Sequence, residues 1–201
     1  MTKRRHLIQF ASISLLGAAL LSAGCSEPKP SFNAVDITGA EYAKGFEVND
    51  HNGKLRHLTD FAGKVVVMFF GYTQCPDVCP TTMADMAEIK KMLGADGDRL
   101  QVLFVTVDPD RDTPEMLKAY MENFDPAFLA LVPPPQKLEA LTKDFKIYYK
   151  KVEGKTPTSY SMDHSAGSYV YDTKGQIRLF SRYGTPKDVL AKDLQTLLKG
   201  A

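Results

Sequence analysis

Two cysteines, Cys75 and Cys79, are the residues of this sequence whose type and spacing most clearly indicate chemistry. They follow an apolar run over residues 65–70 and precede a stretch with helical spacing. A loop that enters a helix brings sulfurs four positions apart close enough for a disulfide or for one metal ion. The helix N-terminus also favours a thiolate, because its unpaired N–H groups carry partial positive charge. We expect Cys79 at the N-cap and Pro80 at the first helical position.

The elements that must position these thiols follow a regular order along the chain. Residues 65–70 and 100–107 are almost uninterrupted apolar runs, typical of strands buried on both faces. Asn52-Gly53 predicts a hairpin of residues 46–48 and 55–58. The other predicted elements are helices over 80–93, 113–124, 136–145 and 185–198, strands over 128–132 and 147–152, and a hairpin of 168–172 and 176–181. This order predicts an α/β fold, a thioredoxin-like three-layer sandwich with an N-terminal β-hairpin extension.

His164 is the third residue that we expect at the site. In a thioredoxin-like layout, the segment just before the last hairpin faces the loop that carries the two thiols. His164 lies in that segment. Two sulfurs and one nitrogen suit a soft ion of low coordination number, which favours Cu(I). Closed structural zinc sites normally have four ligands, so a plain zinc-binding module is a more distant alternative.

Several side chains near these residues have less specific interpretations. Asp163 is a candidate group for orienting the imidazole, and Met162 is a candidate auxiliary contact for the ion. Met83 and Met86 recur at helical spacing, so we expect them to fill the core. The charged residues of 108–111 are expected to brace the loop after the second buried strand.

The N-terminus has the three-part pattern of a secretory signal. Residues 1–24 combine a basic start with an apolar stretch, and small residues precede Cys25. This ending resembles a bacterial lipoprotein signal, which implies that Cys25 receives the lipid and becomes the mature N-terminus. Ser22 stands where such signals usually have Leu or Val, so an uncleaved transmembrane helix stays open as the alternative anchor.

Composition limits the classes of function that fit the rest of the chain. Residues 25–43 are polar and contain two prolines, so we expect a flexible membrane tether there and a folded domain over 44–201. The 201 residues carry a net charge of +1, and without the three basic residues of the leader 22 basic residues face 24 acidic ones. This balance argues against nucleic-acid binding.

Three motifs resemble the Sco/SenC family of copper-binding proteins. They are residues 71–80, which include both cysteines, residues 107–114, and residues 163–165, which include the histidine. All three occur in the family's order, and the resemblance spans about residues 45–199. It implies a membrane-tethered protein of thioredoxin fold that helps to assemble CuA, the dinuclear copper centre of cytochrome c oxidase.

The resemblance also implies a ligand set, partners and a location. Cys75, Cys79 and His164 would bind copper, as Cu(I) or Cu(II). The expected partners are the CuA-containing subunit of the oxidase and other periplasmic copper carriers. The expected location is the bacterial cell envelope, with the domain anchored to a membrane and facing the periplasm.

Two other functions stay open from the residues alone. Cys75 and Cys79 would be a redox-active pair in a thiol-disulfide reductase that acts on the CuA-site cysteines. A redox-sensing or peroxide-sensing thiol protein would instead form a sulfenic acid on one of the two. We expect a copper chaperone and not an enzyme, with no catalytic residues beyond this pair.

Overall fold

A computed structural model describes residues 30–156 and 159–200 of the chain. The strands are β1 Val35–Asp36, β2 Glu47–Asn49, β3 Leu55–His57, β4 Val65–Gly71, β5 Leu100–Thr106, β6 Leu129–Leu131, β7 Tyr149–Glu153, β8 Tyr160–His164, β9 Ser168–Tyr171 and β10 Ile177–Ser181. The helices are α1 Val78–Met92, α2 Pro114–Glu122, α3 Pro135–Asp144 and α4 Lys187–Leu198, and short 3-10 helices cover Leu58–Phe61 and Gly94–Arg99.

Among the described residues, six strands form the central sheet in the order β1-β10-β9-β4-β5-β6. β4 pairs in parallel with β5 and antiparallel with β9, and β5 pairs in parallel with β6. Every residue of β4 and β5 is buried. Successive side chains of a strand point to opposite faces, so both faces of the sheet are covered at its centre. The predicted thioredoxin-like α/β fold is confirmed.

Helix α1 begins earlier than the sequence pattern predicts. Asp77 is the N-cap, and Val78, Cys79 and Pro80 are the first three helical residues. The prediction of Cys79 at the N-cap is therefore wrong by two residues. Pro80 is tolerated at the third position because the first four N–H groups of a helix have no acceptor within it. Cys79 thus belongs to the first turn of α1, while Cys75 lies in the loop before it.

The β2–β3 and β7–β8 hairpins are not strands of the central sheet, although backbone hydrogen bonds from His51 to Ala130 at 2.9 Å and from Val132 to Asn49 at 2.8 Å join the first hairpin to β6. β2 and β3 pair antiparallel around the predicted turn, where Gly53 has a φ of 78°. β7 and β8 form the second hairpin, with Tyr149 opposite His164. The sequence analysis predicts a strand close to β7 but not β8, although Tyr160 and Met162 alternate with polar residues, because this pattern is only five residues long. His164 is consequently the last residue of a strand and not part of a loop.

Residues 31–43 contact the fold, although the sequence places them in the tether. β1 pairs with β10, Ala43 is fully buried, and one compact unit extends from Ser31. Backbone N–H groups of Asn33 and Ala34 donate to the buried carboxylate of Asp193 at 2.8–3.0 Å. The predicted boundary at residue 44 is wrong for this segment, because the hydrogen bonds to Asp193 and scattered apolar side chains hold it to the fold without a regular hydrophobic period.

The predicted leader and the predicted lipid attachment at Cys25 lie outside the described residues. Among the residues that are described, no helix combines the length and the hydrophobicity needed to cross a membrane. The membrane anchor therefore stays a prediction from the sequence.

Candidate metal centre

Cys75, Cys79 and His164 come together at one end of the sheet. One ligand atom from each of the three residues lies within 4.8 Å of the others. Sγ of Cys79 lies 3.4 Å from Nε2 of His164. The loop after β4 supplies one sulfur, the first turn of α1 supplies the other, and the end of β8 supplies the imidazole.

The loop that carries Cys75 is held by a buried carboxylate. Asp112 accepts hydrogen bonds from the Thr73 hydroxyl at 2.6 Å and from the Thr73 backbone N–H at 3.2 Å. It also accepts one from the Thr106 hydroxyl at 2.6 Å, which ties the loop to the end of β5. Burial raises the pKa of Asp112 above its ordinary value, and these donors oppose that rise. The sequence gives no signal for this role of Asp112.

The two thiols have different surroundings. Cys79 is fully buried, and burial raises the pKa of its thiol well above the ordinary value. Cys75 is partly exposed, and its Sγ accepts a hydrogen bond from the backbone N–H of Cys79 at 3.4 Å. Both cysteines are free thiols. One sulfur is thus reachable from outside, while the other is shielded and protonated until an ion displaces the proton.

The imidazole of His164 is oriented by its neighbours. Its ring meets those of Phe69 and Tyr72 edge to face, with centroids 5.9 Å apart in each pair. Nδ1 lies 3.0 Å from the backbone carbonyl oxygen of Ser165. A carbonyl only accepts, so Nδ1 carries the proton in this contact and Nε2 offers its lone pair towards Cys79. The carbonyl of Ser165, and not the exposed Asp163 carboxylate, takes the orienting role that the sequence suggested.

The protonation state of His164 also suits metal binding. Burial lowers the pKa of this imidazole, and the contact with Ser165 partly opposes that effect. A lowered pKa leaves the ring neutral at neutral pH, which is the form that binds metals. Two sulfurs and one neutral imidazole nitrogen are soft or borderline donors, so the arrangement fits Cu(I) in particular.

The predicted methionines occupy the places that their spacing indicates. Met83 and Met86 are buried in the core, as predicted from their helical spacing. Met162 is buried on β8, two residues before His164 and therefore on the same side of the strand. A direct contact between Met162 and a bound ion stays a prediction.

Comparison with known proteins shows the family of this chain. The SCO1/SenC family model matches residues 35–199. The chain belongs to the SCO1/SenC family. A SCO2-like protein from Rickettsia felis is 34% identical over 186 residues, which are 89% of this chain and 91% of that protein. The family membership predicted from the three motifs is confirmed.

Solved structures of SCO1/SenC family members resemble this chain throughout the domain. The structure of ScoI from Bradyrhizobium japonicum with copper bound has a sequence 35% identical to this chain. The alignment covers 76% of this chain and 97% of the ScoI chain, with a TM-score of 0.70. The structure of a SCO1/SenC family lipoprotein from Bacillus anthracis has a sequence 29% identical to this chain. The alignment covers 76% of this chain and 92% of the lipoprotein chain, with a TM-score of 0.65.

Proposed function

We propose that this SCO1/SenC protein binds copper through Cys75, Cys79 and His164 and helps to assemble the CuA centre of cytochrome c oxidase. The observation that carries the proposal is the cluster of two thiol sulfurs and one imidazole nitrogen within 4.8 Å. This donor set suits a soft ion. Further support comes from the related ScoI of Bradyrhizobium japonicum, whose structure has copper bound.

Copper is the cargo in this proposal, and transfer proceeds by ligand exchange. Cys79 holds the ion from the interior because it is fully buried, whereas Cys75 and His164 are both partly exposed. Each thiol loses its proton as copper binds. Cys75 is the more exposed sulfur, so a cysteine of the partner exchanges with it first. The ion is then shared between the two proteins before it passes to cysteines and histidines of the CuA-containing subunit. No electron moves in these steps.

The same proposal includes a location and a source of copper. The leader over residues 1–24 directs export, and Cys25 is the site of lipid attachment. The related Bacillus anthracis protein is described as a lipoprotein, which supports this anchor. The domain would face the periplasm of a bacterial cell envelope and receive copper from other periplasmic carriers.

A thiol-disulfide reductase is the alternative function, and the free, neighbouring thiols favour it. The two sulfurs lie within 4.8 Å of each other, close enough to form a disulfide after a small movement. Cys75 would attack, because burial of Cys79 shields that sulfur and raises the pKa of its thiol. His164 has no necessary role in this chemistry. Reduction that survives the loss of His164 therefore distinguishes the reductase from the chaperone.

An anaerobic Cu(I) titration against a competing chelator tests the copper proposal. The wild type is expected to bind one equivalent tightly, and Cys75→Ser, Cys79→Ser and His164→Ala are each expected to bind much more weakly. His51→Ala is the matched control, because His51 is also partly buried but accepts its hydrogen bond from the backbone of Ala130. Equal binding by the wild type and His164→Ala would overturn the three-ligand site.

Transfer is tested by mixing the copper-loaded protein with the isolated metal-free CuA domain of a bacterial oxidase. The proposal predicts that copper appears in that domain with the wild type and not with Cys75→Ser. In parallel, the metal-free protein is mixed with the same domain carrying a disulfide between its two cysteines. Reduction of that disulfide by both the wild type and His164→Ala, without copper transfer by either, would instead establish the reductase.

A further inference from the structure

The hairpin that carries His164 is not part of the central sheet. Within residues 30–156 and 159–200, β7 and β8 pair only with each other. Strand pairing therefore does not fix the distance between His164 and the two cysteines. Residues 165–167 connect the His164 end of β8 to β9, so the position of the strand also depends on the contacts at its other end, at Tyr160.

The guanidinium group of Arg111 contacts three separate segments around the site. Its Nε donates to the carboxylate of Asp108, in the loop after β5. Its Nη1 donates to the backbone carbonyl of Tyr160 at 2.9 Å, at the first residue of β8. The same Nη1 donates to Oε1 of Gln74 at 3.1 Å, next to Cys75. One side chain thus joins the cysteine loop, the β5–α2 loop and the histidine strand.

Tyr160 makes further contacts with Arg111 and Asp108 through its ring and its hydroxyl. Cζ of Arg111 lies 3.4 Å from the centre of the Tyr160 ring, and Nζ of Lys151 lies 4.1 Å from it. Such cation–π contacts are strongest when the cation is desolvated. The Tyr160 hydroxyl donates to Asp108 at 2.8 Å, so one carboxylate accepts from both residues.

The contacts among Arg111, Asp108 and Tyr160 are shielded from solvent, so they can hold these residues rigidly. The side chain of Arg111 is 15% exposed and that of Asp108 is 3% exposed. Ion pairs with so little exposure are screened much less by water and salt than surface pairs are. The planar guanidinium also fixes the directions of its donors, which a flexible ammonium group does not.

We propose that Arg111, Tyr160 and Asp108 form a latch that holds the histidine strand at its metal-binding distance from the cysteines. Arg111 is the positioning residue, and it acts through His164 without touching the ion. Tyr160 and His164 lie four residues apart on one strand, so their side chains point to the same face and fixing one end constrains the other. The inference rests on the proposed copper site, and it names what sets the geometry of that site.

The test compares Arg111→Gln and Arg111→Lys with the wild type in the anaerobic Cu(I) titration of the full chain. Arg111→Gln is expected to lower the affinity by about 10- to 100-fold, the usual effect of losing a residue that supports a metal ligand. Arg111→Lys is expected to show most of the same loss of affinity, because lysine keeps the positive charge but lacks the planar set of N–H donors of the guanidinium group. A full rescue by lysine would contradict the latch.

Arg56→Gln is the matched control for general damage to the fold. Arg56 forms a similarly buried ion pair with Asp50, at 2.8 Å and with side chains 19% and 0% exposed, on the β2–β3 hairpin. The Arg56→Gln variant is expected to have a lower free energy of unfolding in urea and an unchanged Cu(I) affinity. An equal loss of affinity in Arg56→Gln and Arg111→Gln would show a structural effect and overturn the proposal.

A double-mutant cycle shows whether Arg111 acts through the histidine. In the His164→Ala background, Arg111→Gln is expected to cause no further loss of affinity, because no imidazole is left to position. A second, additive loss would contradict the latch. Tyr160→Leu removes the ring and the hydroxyl but no charge, and it is expected to weaken binding in the same direction. That variant decides the question if Arg111→Gln does not fold.

The same data separate failure of the latch from failure of the copper site. If the wild type binds no Cu(I), or if His164→Ala binds as well as the wild type, the site itself is wrong. If the wild type depends on His164 but Arg111→Gln and Tyr160→Leu bind normally, only the latch is wrong.

Discussion

A Cβ atom on Gly71 would lie 2.8 Å from Sγ of Cys79. It would also lie 2.8 Å from the ring of Phe69 and 2.9 Å from that of Phe104. These distances are shorter than a van der Waals contact, so the buried thiol packs directly against the backbone at the end of β4. Gly71 is therefore required by the space around the thiol and not by its backbone conformation.

We expect Gly71→Ala to weaken copper binding and to destabilise the fold. The added methyl group must push the Cys79 sulfur or one of the two rings aside, and such overpacking costs about 1–3 kcal/mol. Gly45→Ala is the matched control, because a Cβ at Gly45 meets nothing within 4 Å. Urea unfolding and Cu(I) titration of both variants check the prediction. Unchanged copper affinity in Gly71→Ala would show that the site tolerates displacement of the thiol.

The difference in exposure between the two thiols predicts selective alkylation. Cys75 is partly exposed and Cys79 is fully buried, so iodoacetamide is expected to modify Cys75 much faster in the folded, metal-free protein. Burial also raises the pKa of the Cys79 thiol, which leaves little of the reactive thiolate. Peptide mapping by mass spectrometry after short exposures measures both rates and keeps Cys25 separate.

Copper is the control in the alkylation experiment. One equivalent of Cu(I) is expected to protect Cys75, because its sulfur becomes a ligand. Faster modification of Cys79 than of Cys75 would contradict the assignment of the outer and inner sulfurs.

The β2–β3 hairpin predicts a dependence of stability on pH. Burial alone would raise the pKa of Asp50, but its hydrogen bonds with Arg56 and with the backbone N–H groups of Lys54 and Asn52 hold the pKa below the ordinary value. A carboxyl with a lowered pKa in the folded state stabilises the fold above its unfolded pKa of about 3.9. That contribution is lost as the pH falls through the lower, folded-state value.

We expect Asp50→Asn to lower the free energy of unfolding by about 1.5–3 kcal/mol at pH 7, the range for hydrogen bonds to charged groups. The difference from the wild type should shrink steadily as the pH falls below about 4, since the wild-type carboxyl then becomes neutral as well. Urea unfolding at several pH values measures it. Asp98→Asn is the control, because Asp98 is exposed. A difference that stays constant down to pH 2 would contradict the role assigned to Asp50.

Local sequence patterns predict five of the six described strands of the central sheet, the helices and the two thiols, but not β1. The apolar runs that became β4 and β5 are long enough to identify a strand buried on both faces. The two cysteines come shortly after the end of β4 in the sequence, so the same pattern places them at one end of the sheet. Local patterns alone do not identify His164 as a ligand, because only the topology of the fold and the family motif place it beside Cys79, 85 positions away.

Features that depend on tertiary contacts were not predictable in the same way. The segment that contains Asn33 binds to Asp193 through backbone N–H groups and the Asn33 side-chain amide, and these residues lie 160 positions apart in the sequence. The contacts of Arg111 with Gln74 and Tyr160 span 37 and 49 positions, so no local spacing reveals them. Sequence patterns report periodicity and turns, whereas these contacts arise only once the elements have packed.

X-ray absorption spectroscopy of the Cu(I)-loaded protein tests the central claim most directly. The spectrum reports the number and type of atoms bound to copper, and we predict two sulfurs and one nitrogen, from Cys75, Cys79 and His164. His164→Ala should lose the imidazole signal and keep both sulfurs. A wild-type spectrum with a single sulfur, or one that His164→Ala leaves unchanged, would contradict the three-ligand site.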